Sequence, residues 1–106
     1  MFIPSKKILE NYAKVMIDFA LGKGEGVKVG QVVYLQYDSE ALPLALAVYK
    51  RILEKGAHPM VKGIEECFQK VIFENANDDQ LKFFPKEYTK SLVNTIDHRI
   101  YLIAFF

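Results

Sequence analysis

The sequence predicts a three-layer α/β domain, a parallel sheet of about three strands with flanking helices. Residues 29–65 read as one complete strand–helix–strand unit. Three short apolar runs, at 32–37, 60–64 and 99–106, have the composition of strands covered on both faces. Between them, apolar residues recur at helical spacing.

Ser5 offers an N-cap oxygen for a first helix running to about residue 21. Ile8, Leu9, Tyr12, Val15, Met16 and Phe19 share one face, which is expected to cover the sheet. Lys7, Glu10, Asn11, Lys14 and Asp18 fill the solvated side. Residues 22–30 follow, with glycine at 22, 24, 26 and 30. A phosphate loop lies after a strand and opens a helix, so that backbone N–H groups converge on the anion. Here the order is reversed, and the expectation is a flexible helix-to-strand connection.

After the first strand, Asp38 or Ser39 is expected to cap a second helix, with Glu40 in its first turn and Pro43 tolerated that early. Leu42, Leu44, Ala45, Leu46, Val48, Tyr49, Ile52 and Leu53 make its body apolar nearly all round, predicting deep burial on both sides. Lys55 and Gly56 suit its C-terminus. Two strands joined by such a helix should be parallel, with a right-handed crossover.

Residues 65–76 form the next helical pattern, with Phe68, Val71, Ile72 and Ala76 at helical spacing. Asn77 to Gln80 caps a short turn that Pro85 ends, and 86–96 is a further helix burying Tyr88, Leu92, Val93 and Ile96. The last strand then runs out on Phe105 and Phe106, and the expected order places the first strand in the centre. Since parallel sheets have both faces and edges protected, the expectation is an incomplete N-terminal domain of a longer protein, or an edge covered by another chain.

The 106 residues are read as one domain, 1–106, with a net charge of +1. That charge gives no reason to expect nucleic acid or an anionic membrane as partner. The six Tyr and eight Phe lack an accompanying basic groove, so they read as core and interface rather than base-stacking groups. Cys67 is alone and reads as a small buried hydrophobe in a reducing compartment. With no signal peptide and no span of membrane length, a cytoplasmic location is the expectation.

Candidate site residues are few. His58 and His98, with Asp97 and Glu65 or Glu66, imitate a metal set, but both histidines fall at the amino ends of strands. Clefts in open parallel sheets form at the carboxyl ends, where Tyr37, Asp38 and Ser39 lie. Ser39 and Cys67 lack the signature of a nucleophile. No residue is assigned a catalytic, cofactor-binding or metal-binding role.

Several stretches, in order, resemble one family, the thermophilic metallo-aminopeptidases of the aminopeptidase T and aminopeptidase S type. They are the first helix through Leu21, Val29-Gly30-Gln31-Val32-Val33, and Lys55-Gly56-Ala57-His58-Pro59. The most specific are Ala76-Asn77-Asp78-Asp79-Gln80-Leu81-Lys82-Phe83-Phe84-Pro85 and Ile96-Asp97-His98-Arg99-Ile100. The resemblance implies a cytoplasmic, homodimeric exopeptidase removing N-terminal residues from peptides. It also implies two divalent ions, zinc or cobalt, activating a water. The family's metal ligands lie in its C-terminal domain, and none is carried over to this chain. Residues 62–69 depart from the acidic-Gly turn common in the family. The competing reading is a stand-alone α/β interaction or small-ligand module that self-associates.

Overall fold

Three parallel strands, β1 (Val32–Asp38), β2 (His58–Ile64) and β3 (His98–Leu102), form a sheet of order β2-β1-β3. The computed structural model describes residues 5–103. β1 is central, as expected, and pairs with both neighbours: Val32 lies opposite His58, and Leu35 lies opposite both Val61 and Ile100. Helices flank the sheet, giving the α/β architecture the sequence predicts.

Helix α1 (Lys6–Val15) begins at the expected cap, where the Ser5 hydroxyl oxygen accepts from the Ile8 amide at 3.3 Å. Its regular part stops at Val15, and a π-helical turn covers Met16–Ala20. The buried stripe is Leu9, Ala13 and Ile17, so of the face read from the sequence Leu9 is buried and Met16 half-buried. Ile8, Tyr12, Val15 and Phe19 face solvent. The reason is close packing on α2 (Leu42–Glu54), which the small Ala13 permits and larger side chains would prevent.

Helix α2 buries Ala45, Val48 and Ile52 against β1, while Leu42, Leu46, Tyr49 and Leu53 stay exposed. The burial expected on both its sides fails because β2 is an edge strand and, among the described residues, no further layer lies outside α2. A 3-10 turn, Ser39–Ala41, delays the helix start, so neither Asp38 nor Ser39 makes the capping bond expected of it. The C-terminus conforms: Gly56 has φ +76°, and Gly56 and Ala57 amides bond the Leu53 and Ile52 carbonyls at 2.9 and 3.1 Å. Those two bonds define a Schellman motif.

Residues 22–30 are no loose linker. Gly22, Lys23, Gly24, Gly26 and Gly30 all have positive φ, and the Gly26 and Val27 amides close back on Leu21 and Ile17 at 2.8 and 2.7 Å. Val27 is thereby buried in the core.

One ion pair ties the π turn to α2. Arg51 donates from Nε and Nη2 to the two Asp18 oxygens at 3.0 and 2.7 Å, with both side chains about a fifth exposed. This fork holds the Asp18 carboxyl below the usual carboxylate range, mainly through the Arg51 hydrogen bond, against the opposing effect of burial. A depressed folded-state pKa stabilises above the unfolded value of about 4 and is lost as pH falls through the lower folded value. Asp18→Asn should therefore cost about 1–2 kcal/mol at pH 7, with the gap to the parent chain closing below about pH 4. Urea unfolding at pH 7 and pH 3 measures both.

The connection from β2 to β3 is built differently. It comprises α3 (Glu66–Asn75), α4 (Asp78–Lys82) and α5 (Lys86–Thr95). The expected capping box is present: Asn77 Oδ1 accepts from the Gln80 amide at 2.9 Å, and Gln80 Oε1 from the Asn77 amide at 3.0 Å. None of the three helices contains a buried residue. Tyr88 and Val93, expected to be buried, are exposed, as are Phe68, Val71 and Ile72 of α3; Ala76, Leu92 and Ile96 are half-buried. Cys67, read as buried, is likewise exposed. The cause is shared: among the described residues, no facing layer meets these helices extensively. The radius of gyration is accordingly 16.0 Å, against about 13 Å for a compact chain of this length. The expected end of the last strand, 104–106, lies outside the described residues.

Candidate functional site

The parallel sheet presents two unlike ends. At the carboxyl end, β1 stops at Asp38 and β2 at Ile64, and a crevice of about 360 Å³ opens there. Asp38, Ser39, Glu40, Glu65, Glu66 and Cys67 line it, together with Ile64 and Ile103. This is the end where open parallel sheets bind ligands. Asp38, Ser39, Glu65, Glu66 and Cys67, weighed separately in the sequence, thus share one crevice.

Tyr101 on β3 closes one side of this end by donating its hydroxyl to Asp38 Oδ1 at 3.1 Å. Lost hydration first, then the Asp38 bond and the Asp38 and Glu66 charges, push the phenol above its usual value. Tyr101 therefore remains a protonated donor at neutral pH. One strand layer in, Arg99 Nε donates at 2.8 Å to Oε1 of Gln36, the buried polar side chain of β1. That bond satisfies a group whose burial would otherwise be costly.

The amino end holds the histidines. Gln31 organises them: its backbone oxygen accepts from the His58 amide at 2.8 Å, and its Oε1 contacts His98 Nε2 at 2.8 Å. The same Oε1 accepts from the Lys28 amide at 2.8 Å, which makes His98 Nε2 the donor. Asp97 is occupied too, accepting from the Val32 amide through Oδ2 at 2.8 Å while its own amide bonds the Val32 carbonyl. Sequence reasoning does not single out Gln31. Its only local signal is its place just before a strand, and its partner His98 is 67 residues away.

His58 and Glu65 stand at opposite ends of β2, roughly 23 Å apart along an extended strand. The histidines and the crevice carboxylates therefore cannot share an ion, and the imitation metal set is not assembled. Among the described residues, no three His, Cys, Asp or Glu side chains are grouped to hold a metal ion. The crevice donors are carboxylates and one thiol with no imidazole, which does not fit a catalytic zinc site. Among the described residues, no helix is long and apolar enough to cross a membrane.

Two comparisons bear on this arrangement. The family model described as thermophilic metalloprotease, M29, matches residues 5–105. No curated protein matches the chain.

Proposed function

The chain belongs to the thermophilic metalloprotease family M29, and from that membership we propose that it is a scaffold domain of a metal-dependent aminopeptidase. In this reading the α/β unit is the N-terminal domain of a cytoplasmic enzyme that removes N-terminal residues from peptides. The ions, zinc or cobalt, would be held by residues outside those described, and no chemical step is assigned to side chains here.

The observation supporting a scaffold role is the engagement of the amino-end side chains. His98 and Asp97 are each bound to backbone or side-chain groups that lock β3 to β1, and Gln31 pins β2 beside them. One ring nitrogen of His98 is committed to Gln31, and among the described residues no two further His, Cys, Asp or Glu side chains are grouped with it to share an ion, as a metal centre requires. What this chain offers the enzyme is a rigid β2-β1-β3 platform with an acidic crevice at its ligand-side end.

The purified 106-residue chain, assayed with leucyl-p-nitroanilide and added cobalt or zinc, is expected to show no turnover above the metal-only control. Metal-dependent hydrolysis that survives repurification would overturn the scaffold reading, because some ligand set would then lie within these residues.

A further inference from the structure

We propose that the outer edge of β2 docks an extended peptide antiparallel to the strand, with the peptide's free amino terminus held in the acidic crevice. The kind of peptide rests on the exopeptidase reading; the place and direction in which this chain would hold it go beyond that reading.

The backbone sets the register. β2 is an edge strand, and among the described residues no strand pairs with its outer side. The His58 amide bonds the Gln31 carbonyl and so points inward, towards β1. Successive strand residues turn their N–H and C=O groups to opposite edges. Met60, Lys62 and Ile64 therefore also face β1, while Pro59, Val61 and Gly63 face outward. Pro59 has no N–H to offer, which leaves Val61 and Gly63 able to exchange both bonds with an added strand. In an antiparallel ladder these two would pair with residues 4 and 2 of the peptide.

An apolar groove lies beside that edge. Tyr37, Leu42, Ala45, Leu46, Tyr49 and Val61 enclose about 250 Å³ between α2 and the sheet, and Val61 is 49% exposed. Residues paired across strands share a face, so the side chains of peptide residues 2 and 4 would enter this groove.

Charge sets the direction. Asp38, Glu40, Glu65 and Glu66 line the crevice at the carboxyl end of β2, and among the described residues no cationic side chain lines it. An antiparallel peptide brings its ammonium to that end, whereas a parallel one would bring its carboxylate. The same edge disfavours a second copy of the chain. Two β2 strands pairing through Val61 and Gly63 about a two-fold axis would set Lys62 directly opposite Lys62.

The probe is the pentapeptide amide Ala-Leu-Ala-Leu-Ala with a free amino terminus, titrated without metal into the isotope-labelled whole chain and followed by NMR. The Val61 and Gly63 amide signals should shift most and exchange more slowly, with the inward-facing Lys62 amide little changed. N-acetylation of the peptide should weaken binding at least about 10-fold, and so should Glu65→Gln/Glu66→Gln at two exposed positions of the chain. Methylating the backbone nitrogens of peptide residues 2 and 4 should abolish binding, a test that needs no variant of the chain. Equal binding of acetylated and free peptides, shifts confined to another surface, or no shift at millimolar peptide overturns the proposal. So do Val61 and Gly63 shifts that appear on concentrating the chain alone, since a second copy then takes the edge. Because no metal is added, failed docking leaves the absence of turnover standing. Metal-dependent turnover, conversely, overturns the scaffold reading and leaves docking in place.

Discussion

Gly26→Ala is expected to cost about 3–4 kcal/mol, a large share of the stability of a chain this small. Gly26 has φ +80°, a region where L side chains carry a penalty of about 1–2 kcal/mol whatever their surroundings. Here the surroundings add more. A Cβ at this position would collide with the Asp18 carbonyl oxygen and meet the Ile17 carbonyl oxygen at 2.9 Å. Both are backbone atoms of the π turn, so no rotamer change relieves the clash. The turn cannot move away easily, because the Val27 amide bonds Ile17 and the Asp18 side chain is forked onto Arg51. Gly30 supplies the control: its φ is +83°, yet a Cβ there would meet no atom within 4 Å. Gly30→Ala should therefore cost only the conformational part, about 1 kcal/mol. Urea midpoints for the two variants separate the contributions, and equal costs would mean the close approach at Gly26 does not exist in solution.

That pair of glycines shows where sequence reading stops. The glycine-rich stretch is legible as a helix-to-strand connection and not a phosphate site, because element order alone decides that. Its closure onto Ile17 and Leu21 is not legible, since nothing in the composition of residues 22–30 distinguishes a flexible linker from five residues locked at positive φ. The strands and their parallel pairing are readable because apolar runs of strand length, joined by a helix with a clear C-terminal stop, admit few topologies. Burial is harder to read. The first helix offers two adjacent apolar stripes, and choosing Leu9–Ala13–Ile17 over Ile8–Tyr12–Val15–Phe19 requires knowing that α1 packs on α2. Helical spacing in α3 and α5 is plain in the sequence, but periodicity reports an apolar face and not whether a partner covers it.

The candidate site divides in the same manner. Asp38 and Ser39 can be placed at a strand carboxyl end, and the structure gathers them with Glu65, Glu66 and Cys67 in one crevice. The contacts that hold the two ends, Tyr101 to Asp38, Arg99 to Gln36 and His98 to Gln31, each join residues more than 60 positions apart. Long-range polar pairs of this kind leave no periodic trace in a single sequence.

Leu35→Ala should cost about 3–5 kcal/mol, whereas Phe73→Ala should change stability by no more than about 0.5 kcal/mol. Hydrophobicity and size alone rank the two the other way, since phenylalanine is the larger side chain. Leu35 is fully buried at the middle of the central strand, opposite Ile100 on one neighbour and Val61 on the other. It belongs to the cluster that Val48 and Ile52 of α2 cover, so truncation leaves a cavity lined by residues from α2 and the sheet. This core receives no buried side chain from α3, α4 or α5, so few other contacts can share the loss. Phe73 stands 75% exposed on α3, and its removal takes almost nothing out of the folded state. Thermal and urea unfolding measure both substitutions. A Phe73 variant as damaged as the Leu35 one would mean that α3 packs into the core in solution.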